Sequence, residues 1–288
     1  MFLISCMCRH LILSFYMTKK ALTVSIVIPV YNEESYIGPC LDAIAAQTVA
    51  PLEVIVVDNN STDDTLEVVN RYSFVTVLRE KKQGQVFAQS KGFDHAKGAI
   101  LGRLDADTLI PKNWVAFVVD NFDDEHTVAV TGPGVPYDVP MRRVGSAVFN
   151  FYHNTVARLF SGHRMLWGAN FAMRSDAWRQ VKKGLHMQRN IWEDYDLSFH
   201  LATVGTIVFD KAMGVTCSFR AGHQPVPKQL EYQFRHIRTF RLHRGRLKTI
   251  ALFFAWYTMI VLTPLAVIDR YLWLLRSVVD RMVLTVRR

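Results

Sequence analysis

Cysteine is scarce in this 288-residue chain, which holds four: Cys6, Cys8, Cys40 and Cys217. Their spacing forms neither a metal-ligand motif nor a disulfide framework, which fits a reducing compartment. No fixed-period repeat or low-complexity tract is present, so solenoids and linker-like arrays are set aside. No Gly-x-Gly-x-x-Gly follows the first strand-like run, which argues against a dinucleotide oxidoreductase. His223, His236 and His243 lie in or beside a basic stretch and have no convincing metal spacing. Met1 to Tyr16 is apolar, but it is short, interrupted by Arg9 and His10, and lacks a small-residue cleavage site. It reads as an upstream extension or a weak membrane-surface anchor rather than a signal peptide.

Charge is unevenly distributed. The formal net charge is +9, yet residues 21–227 carry 19 Lys/Arg against 22 Asp/Glu, while 228–248 carry seven basic residues against Glu231. A nucleic-acid-binding domain would be basic across its folded face, so no nucleic-acid partner is expected. Residues 249–268 contain no charged side chain and include Leu252, Phe253, Phe254, Trp256, Met259, Ile260, Val261 and Leu262. At ~1.5 Å per residue they would reach across the ~30 Å of a bilayer's hydrocarbon. This reads as a membrane helix, with a core helix or, because of Pro264, a re-entrant hairpin as alternatives. The arginines from Arg235 to Arg246, with Lys248, favour a cytoplasmic side just before it, which would leave the catalytic domain facing the cytoplasm. In 269–288, Leu272, Leu275, Val279 and Met282 line one helical face opposite Arg276, Asp280 and Arg281. Such a tail either lies on membrane lipids or packs against the domain or a second copy. The divisions are thus 1–20 as an extension, 21–227 as the main domain, 228–248 as a basic juxtamembrane segment, 249–268 as a transmembrane or re-entrant helix, and 269–288 as a basic amphipathic tail.

Within 21–227, strand-like runs alternate with helical patterns. Strands are expected at 24–30, 54–57, 74–78, 99–104, 128–131 and 171–174. Helices are expected after a Ser35 cap (with Ile37, Cys40, Leu41 and Ile44 on one face), and at 65–72, 86–96, 111–122, 141–160 and 195–204. Residues 132–136 read as a turn. The β-α-β-α-β-α-β order implies an α/β fold, a mostly parallel sheet flanked by helices whose strand ends converge on a crevice.

Four motifs carry the chemistry. Asp105 and Asp107 follow an apolar strand, where two carboxylates can converge on one ion; oxygen-only ligation suits Mg2+ or Mn2+. Asp58 ends a buried strand and either contacts a nucleobase or ribose or caps its own turn. Tyr31 either stacks on a base or packs in the core; Glu33 either binds ribose or supports a helix start. Asp194 can take the proton of an attacking hydroxyl, with Glu193 and Asp196 crowding it, and Trp192 either covers a sugar ring or joins the core.

Together these residues resemble the family 2 glycosyltransferases of GT-A fold, over about 22–220. The resemblance implies that Pro29, Tyr31, Glu33, Asp58 and Asp105 bind the nucleotide-sugar donor, that Asp105 and Asp107 hold metal and diphosphate, and that Asp194 is the base of an inverting reaction. It makes Trp167-Gly168-Ala169-Asn170-Phe171 the acceptor-side loop, with Trp192 and Glu193 beside it. Three departures stand out. Asn59 occupies a position that is often acidic, and Ala88-Gln89-Ser90-Lys91-Gly92 replaces an Ala-Arg-Asn-x-Gly segment, leaving Lys91 or Arg103 to supply phosphate charge or to serve as surface or structural residues. Gln233-Phe234-Arg235-His236-Ile237 does not complete the Gln-x-x-Arg-Trp of processive members. The expected activity is membrane-attached, non-processive transfer of one sugar to a hydroxyl of a lipid-linked or envelope glycan. Transfer to polyprenyl phosphate and a non-catalytic, membrane-tethered binding role are the alternatives.

Overall fold

The computed structural model describes residues 22–138, 146–147, 150–220, 224–261, 272 and 275–276. Strands β1 (Val24–Val30), β2 (Glu53–Asp58), β3 (Val75–Arg79) and β4 (Ile100–Leu104) pair in parallel. They join β5 (Thr127–Thr131), β7 (Asn170–Arg174) and β8 (Thr206–Phe209) in a seven-stranded sheet ordered β3-β2-β1-β4-β7-β5-β8. Strand β7 runs antiparallel to both neighbours, and β5 and β8 are parallel. The sheet is mostly parallel, as expected, and every residue of β4 and β5 is buried, including Arg103 within β4 and Thr127 and Thr131 at the ends of β5. The chain winds outward from β1 in both directions, so the β1/β4 boundary is a topological switch point, where a crevice opens beyond the strand ends.

Pro29 helps to open it. Leu52 and Asn59 donate to the carbonyls of Val24 and Val30, so the even-numbered residues of β1 face β2, whereas Ile100 donates to Thr23, so odd-numbered ones face β4. The β1/β4 ladder stops at the Val27–Arg103 pair. The N–H that Pro29 lacks is therefore one the sheet does not use.

Helices α1 (Ile37–Ala45), α2 (Thr65–Val69), α3 (Gln85–His95) and α4 (Trp114–Asn121) connect these strands. The start of α1 differs from the Ser35 cap: Tyr36 precedes it without a side-chain cap, and the Glu33 carbonyl receives the N–H groups of Tyr36 and Ile37. The turn expected at 132–136 is instead partly a strand, β6 (Gly134–Pro136), paired in parallel with β9 (Val215–Cys217). Neither β8 nor β9 has a sequence signal long enough to separate it from loop.

Beyond β6, the helix expected at 141–160 is partly outside the described residues; it includes a π-helical stretch at Tyr152–Ala157 that runs into α5 (Arg158–Ser161). Helices α6 (Ser175–Val181) and α7 (Glu193–Leu201) follow, then α8 (Val226–Val261). One core lies between the sheet and α1 with α4; another lies between the opposite face and α3, α6 and α7. A third, smaller layer joins Tyr152, Met165, Tyr195, Phe199, Phe240 and Leu252.

Helix α8 runs through the divisions drawn at 227 and 248, interrupted at Gly245, whose φ of 74° and ψ of 179° are not helical. Phe240 and Leu252, on either side of that break, are both buried. Among the described residues no helix is long and apolar enough to cross a membrane. Residues 1–21, 262–268 and most of the tail from 269 lie outside the described residues.

Candidate active site

The β1 and β2 ends are sewn together by short polar side chains. Asn32, with φ of 56°, accepts the Thr62 N–H at 2.8 Å, while its own N–H donates to Ser61 Oγ. The Glu33 N–H donates to Thr65 Oγ1 at 2.7 Å, and Glu34 exchanges bonds with the 63–64 backbone and side chains. Asp58 is buried beside Val30, and one of its oxygens accepts the Ser61 N–H at 3.0 Å. Asn59 has a structural reason to be an amide: Nδ2 donates to the Glu80 and Lys82 carbonyls while Oδ1 accepts the Gly84 N–H. A carboxylate there would face two carbonyl oxygens. Tyr31 projects from this edge with 49% of its surface exposed, which rules out a core role.

The carboxylates expected on the metal lie at the same edge. Asp107 is buried and meets Arg220 Nε at 3.2 Å; the same guanidinium donates to Glu33 Oε1 at 2.6 Å. Burial, then the neighbouring Asp105, push the Asp107 carboxyl up to about 7, with Arg220 opposing. Burial raises Glu33 as well, again against Arg220, and its Oε2 is buried with no hydrogen-bond partner. Crowded, raised carboxyls with an orphaned oxygen form a set of hard donors short of positive charge, which fits Mg2+ or Mn2+.

Arg103 links this pair to the expected base. It is fully buried on β4, with Nη2 2.8 Å from Asp105 Oδ1, although no guanidinium N–H of Arg103 is aligned as a hydrogen bond. Its other side faces Gly168 and Asp194: a Cβ on Gly168 would stand 2.6 Å from Arg103 Nη1 and 3.2 Å from Asp194 Oδ2. The bare glycine lets its N–H reach Asp194 Oδ2 at 2.9 Å. Burial pushes the Asp194 carboxyl up to about 6, against the pull of Arg103 and the N–H groups of Gly168 and Tyr195. Burial and then Asp194 raise its neighbour Glu193 too. A contiguous path thus runs Glu33, Arg220, Asp107, Asp105, Arg103, Asp194 along one crevice.

The remaining expected residues divide. Trp167 packs so closely on Gly134 that a Cβ there would be 2.0 Å from its ring. Asn170 is fully buried, its amide donating to the Met213 carbonyl and accepting from Trp114 Nε1, so its side chain belongs to the core and not to a groove. Trp192 stacks on His236 at 4.9 Å and 17°, within the ring layer. Lys91 sits on the Arg79 carbonyl beside Glu80, at the surface. Sequence reasoning missed Arg220, which follows a three-residue strand and carries no local signal. It left Arg103 among surface or structural residues, though an arginine inside an apolar strand that leads to Asp105 is itself a signal of nearby carboxylates.

AglE, a glycosyltransferase of Haloferax volcanii, is 37% identical over 106 residues, covering 34% of this chain and 35% of that protein. A chondroitin synthase of Pasteurella multocida is 31% identical over 197 residues, 63% of this chain but 19% of its own length. The chain therefore spans about a third or less of these curated relatives. Among solved structures, a mannosyltransferase of Pyrobaculum calidifontis in complex with GDP-Man and Mn2+ superposes with a TM-score of 0.58 at 20% identity, over 85% of this chain and 82% of that one, a likeness of fold. The family model for glycosyl transferase family 2 matches residues 25–181, more than half of the sequence, and the chain belongs to that family.

Proposed function

We propose that the protein moves one sugar from a nucleoside-diphosphate sugar to an acceptor hydroxyl with inversion at the anomeric carbon. The observation that carries the proposal is the position of Asp194: a half-buried carboxyl, aimed by the Gly168 N–H and separated by the Arg103 guanidinium from the Asp105/Asp107 pair. The likeness of fold to a mannosyltransferase in complex with GDP-Man and Mn2+ supports a nucleotide-sugar donor. In this reading Tyr31 and the free face of Asp58 hold the nucleoside, and Asp105 and Asp107 hold the divalent ion. That ion, when bound, offsets charge on the departing diphosphate. Arg220, now on Glu33 and Asp107, has a stronger anion to meet in a diphosphate. Asp194 accepts the hydroxyl proton as the acceptor oxygen bonds to the anomeric carbon, and the breaking carbon–oxygen bond leaves its electrons on the diphosphate.

The test is a pair of variants. Asp194→Asn is expected to lower transfer by ~10²–10⁴-fold, the usual contribution of a positioned base, with donor binding by calorimetry unchanged. Asp107→Ala is expected to weaken metal-dependent donor binding instead. Equal loss of binding and transfer in Asp194→Asn would overturn the base assignment, and full activity in that variant would favour an acceptor that is already anionic, such as polyprenyl phosphate.

The proposed acceptor is lipid-linked, and the support for a membrane partner lies on α8. Leu242, Leu247 and Ile250 are exposed there among exposed Arg241, Arg246 and Lys248, the mixture of an interfacial helix. The chain is expected to co-sediment with vesicles containing anionic lipid and to be released by salt; no sedimentation at low salt would end this part of the proposal.

A further inference from the structure

Two residues beyond the proposed base, on another face of α7, a second group of side chains converges. Asp196 is 2% exposed, and its Oδ1 lies 2.7 Å from His186 Nδ1, 2.7 Å from His243 Nε2 and 3.9 Å from His200 Nε2. One ligand atom from each of His186, Asp196, His200 and His243 lies within 4.8 Å of the others, and among the described residues this is the one such group of three or more possible ligands. Asp196 and His200 share a helix face because they are four residues apart. His186 comes from the loop before α7, and His243 from α8. The three rings surround the carboxylate at centroid separations of 5.3 to 6.0 Å.

Hydrogen bonding to Asp196 leaves this group incomplete. His200 Nε2 is buried with no hydrogen-bond partner although it faces the carboxylate, so the one acid does not satisfy all three imidazoles. Oδ2 is separately fixed by the His186 backbone N–H at 2.8 Å, which leaves Oδ1 as the oxygen turned toward the rings. A cation at the centre would occupy the lone pairs of all three nitrogens and of Oδ1 together.

We infer that His186, Asp196, His200 and His243 form a closed, four-ligand metal site selective for Zn2+, distinct from the carboxylate pair in the crevice. Three imidazoles and one carboxylate are the donors that Zn2+ prefers, whereas Mg2+ and Mn2+ favour all-oxygen sets. Tetrahedral bonds of ~2.0–2.1 Å place ligand atoms ~3.3 Å apart. Contacts of 2.7 Å must open by about half an ångström and the widest must close, which side-chain rotation allows. His186 is 34% exposed and gives the ion a way in. With four protein ligands no position remains for substrate, so the metal's role is to tie the loop and α8 to the helix that begins with Glu193 and Asp194.

The experiment uses the full chain, stripped with chelator and titrated with Zn2+ against a chromophoric competitor in the absence of donor. One equivalent is expected to bind, and the Co2+-loaded chain should show the visible absorption of a tetrahedral site. Asp196→Asn and His243→Ala should each weaken Zn2+ by more than the ~10–100-fold that loss of an outer-shell partner costs. Since His243 also stacks on Phe199 at 4.3 Å, the half-exposed His200→Ala serves as a second variant less tied to packing. Asp107→Ala should bind Zn2+ unchanged. Absence of stoichiometric Zn2+ in the unmodified chain, affinity unaltered by all three ligand substitutions, or loss of Zn2+ in Asp107→Ala alone would each overturn the site. None of these results depends on donor binding or transfer, so they are separable from the fate of the proposed activity.

Discussion

The two sides of the crevice are built differently. On the β1–β2 side, position is set by backbone N–H groups and carbonyls bonded to short side chains: Asn32, Asp58, Asn59, Ser61 and Thr65. On the α7–α8 side it is set by rings, with Phe240 fully buried between Tyr195, Phe199 and His236 at centroid distances of 5.9, 5.4 and 5.0 Å. Hydrogen-bonded loops can hold a donor within tenths of an ångström while staying open to solvent. Ring packing instead excludes water from its own interior, and burial beside it, next to Tyr195, leaves the Asp194 carboxyl harder to ionise. The fold thus pairs a wet, directional face with a dry, space-filling one, and the proposed base stands where they meet.

Three changes separate the two constructions, beginning with the largest effect. Phe240→Ala should destabilise the protein by ~3–5 kcal/mol, as large-to-small core changes do, in denaturant unfolding. Donor affinity, measured where the variant is still folded, should be retained; a parallel fall in affinity would mean that the two sides are one unit. Asn59→Asp should cost ~1–3 kcal/mol, because two donors are lost and a charge faces the Glu80 and Lys82 carbonyls. This substitution should weaken donor binding and leave the ring layer's near-ultraviolet dichroism intact, and a neutral or stabilising result would show that the loop is not held as described. The smallest effect is that of pH. Burial pushes the His236 pKa down to about 3, against ~6.5 in an unfolded chain. Between these values the unfolded chain binds a proton that the fold refuses, so stability is full above ~6.5 and falls with falling pH, by ~1.4 kcal/mol at pH 5.5 from this residue. Unfolding midpoints at pH 7.5 and 5.5 should differ less in His236→Gln; an equal difference would remove His236 from the account.

The contrast also explains what could be read beforehand. Strands β1, β2 and β4 were legible because buried parallel strands are apolar runs, and Asp58 and Asp105 mark their ends because acids and amides bring such runs to a stop. The donor side is therefore written locally. Asn59 was legible only as a departure, because its reason lies in carbonyls 21 and 23 residues away. Contacts that join distant stretches left no such trace on either side: Arg220 meets Glu33 at the donor edge across 187 residues, and His243 meets Asp196 on the α7–α8 side across 47. No window of sequence contains both members of such a pair. The partners of Asn170 were hidden for the same reason, since its motif resembles an acceptor loop while Trp114 and Met213, 56 and 43 residues away, engage its amide.

The corner at Gly245 has a consequence of its own. Phe240 and Leu252 would stand ~18 Å apart along a straight helix, yet both are buried and belong to one ring layer. A Cβ at Gly245 would meet nothing within 4 Å, so glycine suits the corner through its positive φ and not through crowding. The C-terminal helix consequently folds around the ring layer as a bracket with two arms, and the choice of a single achiral residue decides whether the second arm returns to the protein or departs from it.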